Sequence, residues 1–167
     1  MIFAMLVFFP ALMAYAAFSD LFTMTISNFV SLALVVIFFI LALALGMPAK
    51  EIGLHAAAGA LVLLVTFLMF ARGWIGGGDA KLAAATALWI GFDLLADYSL
   101  YAAALGGLLT LVILILRRYP LPPVLTGQAW LARLHDKANG VPYGIALAVA
   151  GLMLYPETGI WASAVAH

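Results

Sequence analysis

Two acidic residues interrupt a sequence that is otherwise almost entirely apolar. Asp20 follows the first apolar stretch, and Asp79 follows three consecutive glycines, Gly76, Gly77 and Gly78. Two carboxylates that share one water are the parts of an aspartic protease: one carries a proton, and the other takes a proton from water as it attacks a peptide carbonyl. Like charges that close cannot both ionise easily, so such a pair titrates together. Peptide hydrolysis is therefore one chemistry that these residues could perform.

Two other interpretations of the same acids remain open. Asp79 could be only the N-cap of the Ala-rich helix that follows it, with Asp20 a wetted loop acid. Alternatively, a small multi-span transporter or a membrane scaffold could use Asp20 and Asp79 to hold an ion or a substrate, since carriers also combine glycine-broken helices with intramembrane acids. A carrier would place its acids near the midplane of the bilayer, whereas a protease of this kind would hold them together at one face.

The composition predicts an integral membrane protein. Hydrophobic residues make up 68% of the 167 residues and charged residues 8%, which is more apolar surface than one soluble core could hide. The formal net charge is zero, so no overall field favours nucleic acid. The chain has no Cys, and its acids and histidines lack metal-ligand spacing, so we expect neither a metal nor a cofactor. His55 is interpreted as a helix-packing histidine.

Apolar runs of about 20 residues predict the elements that must position the acids. We expect an all-α, polytopic integral membrane bundle of about six transmembrane helices, forming a single membrane-embedded domain over residues 1–167. The predicted spans are Ile2–Ser19, Ser27–Gly46, Ile52–Ala71, Ala80–Leu95, Ser99–Leu116 and Val141–Val165. The last span contains Pro156 and Glu157, which predict a kink or an early end there.

The basic residues predict the orientation of this bundle. All but Lys50 fall on the side of the first, third and fifth loops; they are Arg72, Lys81, Arg117, Arg118, Arg133 and Lys137. The positive-inside rule assigns this side to the cytoplasm. Asp20 and Asp79 then both lie at the cytoplasmic edge of the membrane.

The fifth loop, Arg117–Gly140, is the longest of the predicted connections. It contains Pro120, Pro122 and Pro123. A short interfacial helix is predicted over Ala129–Lys137. Its basic residues are interpreted as anchors at the membrane surface.

Three stretches resemble the type IV prepilin peptidases, which are membrane aspartyl proteases with a GxGD signature. GGGDAKLAAA, beginning at Gly76, resembles their second motif. The stretch from Phe18 to Asn28, with Asp20 eight residues before Asn28, is similar to their first motif. VPYGIA, beginning at Val141, resembles their final span. The short chain is similar to the small branch that serves Flp-type (Tad) pili.

This resemblance implies an endopeptidase of the bacterial inner membrane. Asp20 and Asp79 would be its catalytic dyad, with the three glycines, Lys81 and Asn28 shaping the site and contacting the substrate. The substrate would be a prepilin or pseudopilin, with a short basic leader and an apolar helix, cut at the cytoplasmic face; membrane lipid is the other expected partner. The larger enzymes also carry a Cys-rich insert and methylate the new amino terminus. This sequence has neither Cys nor insert, so it predicts peptidase activity alone. The sequence does not predict the oligomeric state.

Overall fold

A computed structural model of the chain describes residues 7–122, 124 and 127–165, and every regular element in these ranges is helical. The helices are α1 Phe8–Thr23, α2 Asn28–Ala44, α3 Ala49–Ala71, α4 Gly77–Ile90, α5 Leu95–Leu116, α6 Ala129–His135, α7 Gly144–Leu154 and α8 Gly159–Val165, with a 3₁₀ turn at Tyr155–Glu157. The prediction of an all-α membrane bundle is confirmed. Ile2, where the first predicted span begins, and Pro123 lie outside the described residues.

Local residue chemistry explains where these helices begin and end. The Ser27 hydroxyl accepts a hydrogen bond from the backbone N–H of Phe29 at 3.2 Å, which caps the start of α2. α1 ends at Thr23 because Met24 takes a left-handed conformation with φ 55°. Gly91 ends α4 with φ 71° and ψ −177°, an extended conformation of positive φ that glycine adopts readily.

Two helices are long and apolar enough to cross a bilayer, namely α3 and α5. A third span exists if α7, the 3₁₀ turn and α8 are counted as one element bent by 49°. That bend lies at Thr158, just after the predicted Pro156–Glu157 site, and α7 itself ends at Leu154, before the proline. Within the described ranges α1 and α2 are shorter apolar helices. The count of six spans stays a prediction.

Helix α4 occupies the centre of the bundle. It packs on α2, α3, α5 and α7, and after Lys81 every residue of the helix is buried. Its Trp89 is fully buried between the rings of Phe9 from α1 and Phe38 from α2, and the indole N–H donates to the carbonyl oxygen of Leu34 at 2.9 Å. Because α4 touches helices on several sides, its position fixes where Asp79 can lie.

The predicted role of His55 agrees with the structure. Its Nδ1 forms a hydrogen bond of 2.8 Å with the backbone carbonyl of Leu88, and its ring packs on Phe38 with centroids 5.3 Å apart. These contacts join α3 to α4 and α2 at the end of the bundle that contains Gly91. His55 is therefore a packing residue of the helix interface.

Candidate active site

Asp20 lies in the last turn of α1 and is buried, with only 5% of its surface exposed. Its Oδ2 accepts a hydrogen bond from the backbone N–H of Gly144 at 2.7 Å. Gly144 is the first residue of α7, so its amide has no acceptor within that helix. The carboxylate thus sits at the positive end of a helix, a position that favours negative charge.

Asp79 is the third residue of α4 and is half-buried. Its carboxylate accepts a hydrogen bond from the backbone N–H of Gly76. Gly76 is the N-cap residue, so Asp79 reaches back over the first turn as the acidic member of a capping box does. The interpretation of Asp79 as the N-cap is therefore wrong by three residues. Helix α4 also begins earlier than predicted, and Gly77 and Gly78 belong to its first turn.

The structure brings the two acids together. An electrostatic interaction between Asp20 and Asp79 agrees with this placement. Ile26, in the loop between α1 and α2, lies against the backbone beside both of them. A methyl group added at Gly78 would come within 3.1 Å of its Cβ, and one added at Gly144 within 2.5 Å of its Cδ1. The end of α1 and the starts of α4 and α7 thus converge around one side chain.

Lys81 and Asn28 are also brought together, but not with the acids. The Lys81 ammonium donates a hydrogen bond of 2.7 Å to the Asn28 side-chain oxygen. Two residues along a helix correspond to a rotation of about 200°, so Lys81 leaves α4 on nearly the opposite side from Asp79. Lys81 therefore pairs with Asn28 and with neither of the two acids. The Lys81 side chain lines the space between α2 and α3.

Gly144 and Ile26 were not among the predicted site residues. The stretch that contains Gly144 was singled out only as a span motif, because a residue that acts through its backbone N–H leaves no chemical signature of its own. A side chain at this position would lie 2.8 Å from Asp20 Oδ2. The absence of a Cβ therefore allows the amide and the carboxylate to meet.

The basic loop packs against the helix that carries Asp20. Within this loop α6 places Arg133 so that its guanidinium donates to the carbonyl oxygen of Phe22, and Trp130 packs edge-on against the Phe22 ring at 5.3 Å. Arg117 is buried and donates to the carbonyls of Leu134 and Gly140 at 2.8 and 2.9 Å. Arg117 and Arg133 therefore brace the loop, a role that the sequence does not predict, and the anchoring of the loop's basic residues at the membrane surface stays a prediction.

The arrangement can carry out acid–base chemistry at one end of the bundle. Both acids lie in terminal turns of their helices, Asp20 in the last turn of α1 and Asp79 in the first turn of α4. A carrier would be expected to hold its acids near mid-membrane. Among the described residues, no three His, Cys, Asp or Glu side chains are grouped so that they could hold a metal ion.

Comparison with known proteins gives the family. The family model for type IV leader peptidases matches residues 7–115, a region that includes both Asp20 and Asp79. No curated protein and no solved structure matches the chain. The match covers more than half of the 167 residues and agrees with the apolar, all-helical architecture. The chain therefore belongs to the type IV leader peptidase family and is an integral membrane protease.

Proposed function

We propose that this protein is an aspartic endopeptidase that removes the short basic leader from Flp-type prepilins at the cytoplasmic face of the bacterial inner membrane. The observation that carries the proposal is the proximity of Asp20 and Asp79, each held by one backbone amide and both beside Ile26. Membership of the leader peptidase family supports cleavage of a leader. The motifs that resemble the Flp-type enzymes support this choice of substrate.

The reaction needs one protonated and one ionised carboxyl group. The ionised carboxylate accepts a proton from water, whose oxygen forms a bond to the carbonyl carbon of the scissile peptide, while the protonated carboxyl donates its proton to the carbonyl oxygen. The resulting diol collapses as its C–N bond breaks. The leaving nitrogen takes the proton that the first carboxylate accepted from water, and the second carboxylate regains a proton from a hydroxyl of the diol, which yields a new carboxyl terminus and a new amino terminus. Either aspartate can begin as the acid.

The proposed orientation rests on charge. The connections at the end of the bundle that holds the two acids contain Arg72, Arg117, Arg118, Arg133 and Lys137. Positive charge is retained on the cytoplasmic side of a membrane, so the acids would face the compartment where a prepilin presents its leader. The absence of Cys in the chain supports peptidase activity without methylation, because the Cys-rich insert of the larger enzymes is missing.

The test is co-expression of the full chain with an Flp-type prepilin, followed by gel analysis and mass measurement of the pilin. We expect the wild-type protein to remove the leader and leave an unmethylated amino terminus. Asp20→Asn and Asp79→Asn should each accumulate the uncut precursor. Asp93→Asn is the matched control, because this acid lies beyond α4 at the opposite end of the bundle, and it should cut normally.

Three results would count against the proposal. Wild-type rates in either the Asp20 or the Asp79 variant would remove that acid from the mechanism. Equal processing in cells without the protein would remove the assignment to a prepilin. A precursor that stays uncut, with an ion or solute transported instead, would favour the carrier.

A further inference from the structure

An open slot lies between α2 and α3. These two helices follow one another along the chain, yet each packs mainly on α4, which forms the floor of the slot with Ala84, Ala85 and Leu88. The slot has a volume of about 530 Å³. Its walls include Leu32 and Leu63, which are 63% and 46% exposed. An apolar slot with exposed walls in a membrane protein opens toward the bilayer.

The polar lining of the slot is confined to one end. Asn28, Ser31 and Lys81 line that end, and apolar side chains line the rest as far as Phe39. Asn28 and Phe39 are eleven residues apart on α2, so the lined length is about 16 Å, or three helical turns. The slot is thus matched to a partner with a long apolar part and one polar end.

The polar end lies at the same level of the bundle as the two acids. Asp79 and Lys81 leave opposite sides of α4 within its first turns, so a chain leaving the slot must cross the N-terminus of α4 to reach Asp79. Gly77 and Gly78 form that turn. The Phe70 ring and Ile26 border this turn, because a methyl group at Gly77 would lie 3.3 Å from the Phe70 ring and one at Gly78 would lie 3.1 Å from Ile26 Cβ. The amides of the turn have no acceptor within the helix, so an extended peptide that passes its N-terminal end can accept hydrogen bonds from them.

We propose that the slot between α2 and α3 receives the apolar helix of the substrate, which enters sideways from the bilayer while its leader crosses the glycines to Asp20 and Asp79. This inference rests on the proposed function. The lining favours a helix over a lipid chain, because small residues of the α3 wall, Ala56 and Ala60, and of the floor, Ala84 and Ala85, let another backbone approach closely. Because the polar end of the slot and the two acids lie at the same end of the bundle, a prepilin whose helix fills the slot would have the peptide bond between its leader and its helix near Asp20 and Asp79.

Cross-linking tests the occupant directly, because the chain contains no Cys. Ala60→Cys places a thiol in the slot, whereas Ala57→Cys places one on an exposed part of α3 that does not line it. Each is combined with Asp79→Asn to retain uncut prepilin, and the prepilin carries one Cys in its apolar helix. We expect a disulfide between enzyme and prepilin for Ala60→Cys and not for Ala57→Cys.

Filling the slot tests its use in cleavage. Ala60→Phe should lower the rate of full-length prepilin processing by about tenfold or more, equivalent to ~1.4 kcal/mol of lost binding. Ala57→Phe should leave the rate unchanged. Equal cross-linking at both positions, or normal processing by Ala60→Phe, would overturn the inference. So would a disulfide formed between two Ala60→Cys copies without prepilin, since the occupant would then be a second copy of the chain.

These results remain separate from the proposed function. A wild-type enzyme that cuts prepilin while the slot variants behave like their controls would leave the peptidase assignment intact and exclude the slot. A slot that takes up only lipid would show the same pattern. A wild-type enzyme that cuts no prepilin would remove the proposed function itself.

Discussion

The backbone N–H of Gly144 donates a 2.7 Å hydrogen bond to Oδ2 of Asp20, across 124 positions of the sequence. This bond ties the end of α1 to the start of α7. It holds one acid at the amino end of a helix while a second acid, Asp79, lies in the first turn of another. The candidate site is therefore built from helix ends, where free amides can orient carboxylates without any basic side chain.

Substitution of Gly144 by Ala should impair cleavage more than stability. The added methyl group would lie 2.5 Å from Ile26 Cδ1 and 2.8 Å from Asp20 Oδ2, so the carboxylate must move. A displacement of about 1 Å in a catalytic group can cost about 100-fold in rate. We expect a loss of this order in the processing rate of purified enzyme.

Gly140→Ala is the control for this prediction. Gly140 lies just before α7, and a methyl group there would meet nothing within 4 Å. We expect its processing rate to match the wild type. Equal activity of the Gly144 and Gly140 variants would show that the amide contact does not orient Asp20.

Replacing Trp130 by Ala should release the basic loop from α1. The variant loses the edge-on contact between Trp130 and the Phe22 ring. The hydrogen bond from Arg133 to the Phe22 carbonyl then has to hold α6 against α1 without that ring contact. Trypsin should then cut faster after Arg118 and Lys137 in membranes that expose the loop. Trp74→Ala is the matched control, because the Trp74 side chain is 67% exposed and lies beside Arg72 in the connection between α3 and α4. Unchanged digestion of the Trp130 variant would contradict the docking of α6.

Gly91→Ala should destabilise the end of the bundle opposite the acids. Gly91 has φ 71°, a conformation that costs other residues about 1–3 kcal/mol. A methyl group there would also lie 2.9 Å from His55 Cε1. Thermal unfolding in detergent should therefore occur at a clearly lower temperature.

Gly46→Ala separates the two causes of that loss. Gly46 has φ 67°, but a methyl group there would meet nothing within 4 Å. It should show the backbone cost alone, with a smaller fall in unfolding temperature than Gly91→Ala. An equal fall for both variants would mean that His55 yields without cost.

The sequence predicts most of the bundle because each long helix corresponds to an apolar run that is bounded by Gly, Pro or polar residues. The end of α7 at Leu154 follows from Pro156, because proline has no N–H to continue the helix. Prediction fails at helix ends, where tertiary contacts decide. Gly77 and Gly78 precede the predicted span Ala80–Leu95, but in the structure they form the first turn of α4, where Asp79 accepts the capping bond from the Gly76 amide.

The candidate site is predictable for its charged members and not for its backbone members. Asp20 and Asp79 stand out because an ionisable side chain in an apolar membrane segment is energetically costly and is usually kept for a function. Lys81 and Asn28 are predicted from the motifs to shape the site. Their actual positions depend on which face of α4 packs on α2, and the sequence does not give this face. Gly144 acts through an amide that every residue except proline possesses, so only the folded chain assigns it a role.

We propose that Asp20 and Asp79 meet at the end of the bundle that faces the cytoplasm. In this chain without Cys, Asp20→Cys and Asp79→Cys can be combined and treated with a short bifunctional thiol reagent in inside-out membrane vesicles. The account predicts that one reagent bridges the two thiols and that a charged, impermeant thiol reagent labels both, whereas the Asp20→Cys, Asp93→Cys pair is not bridged. A failure to bridge the first pair, or labelling of its thiols only in right-side-out vesicles, would contradict the account.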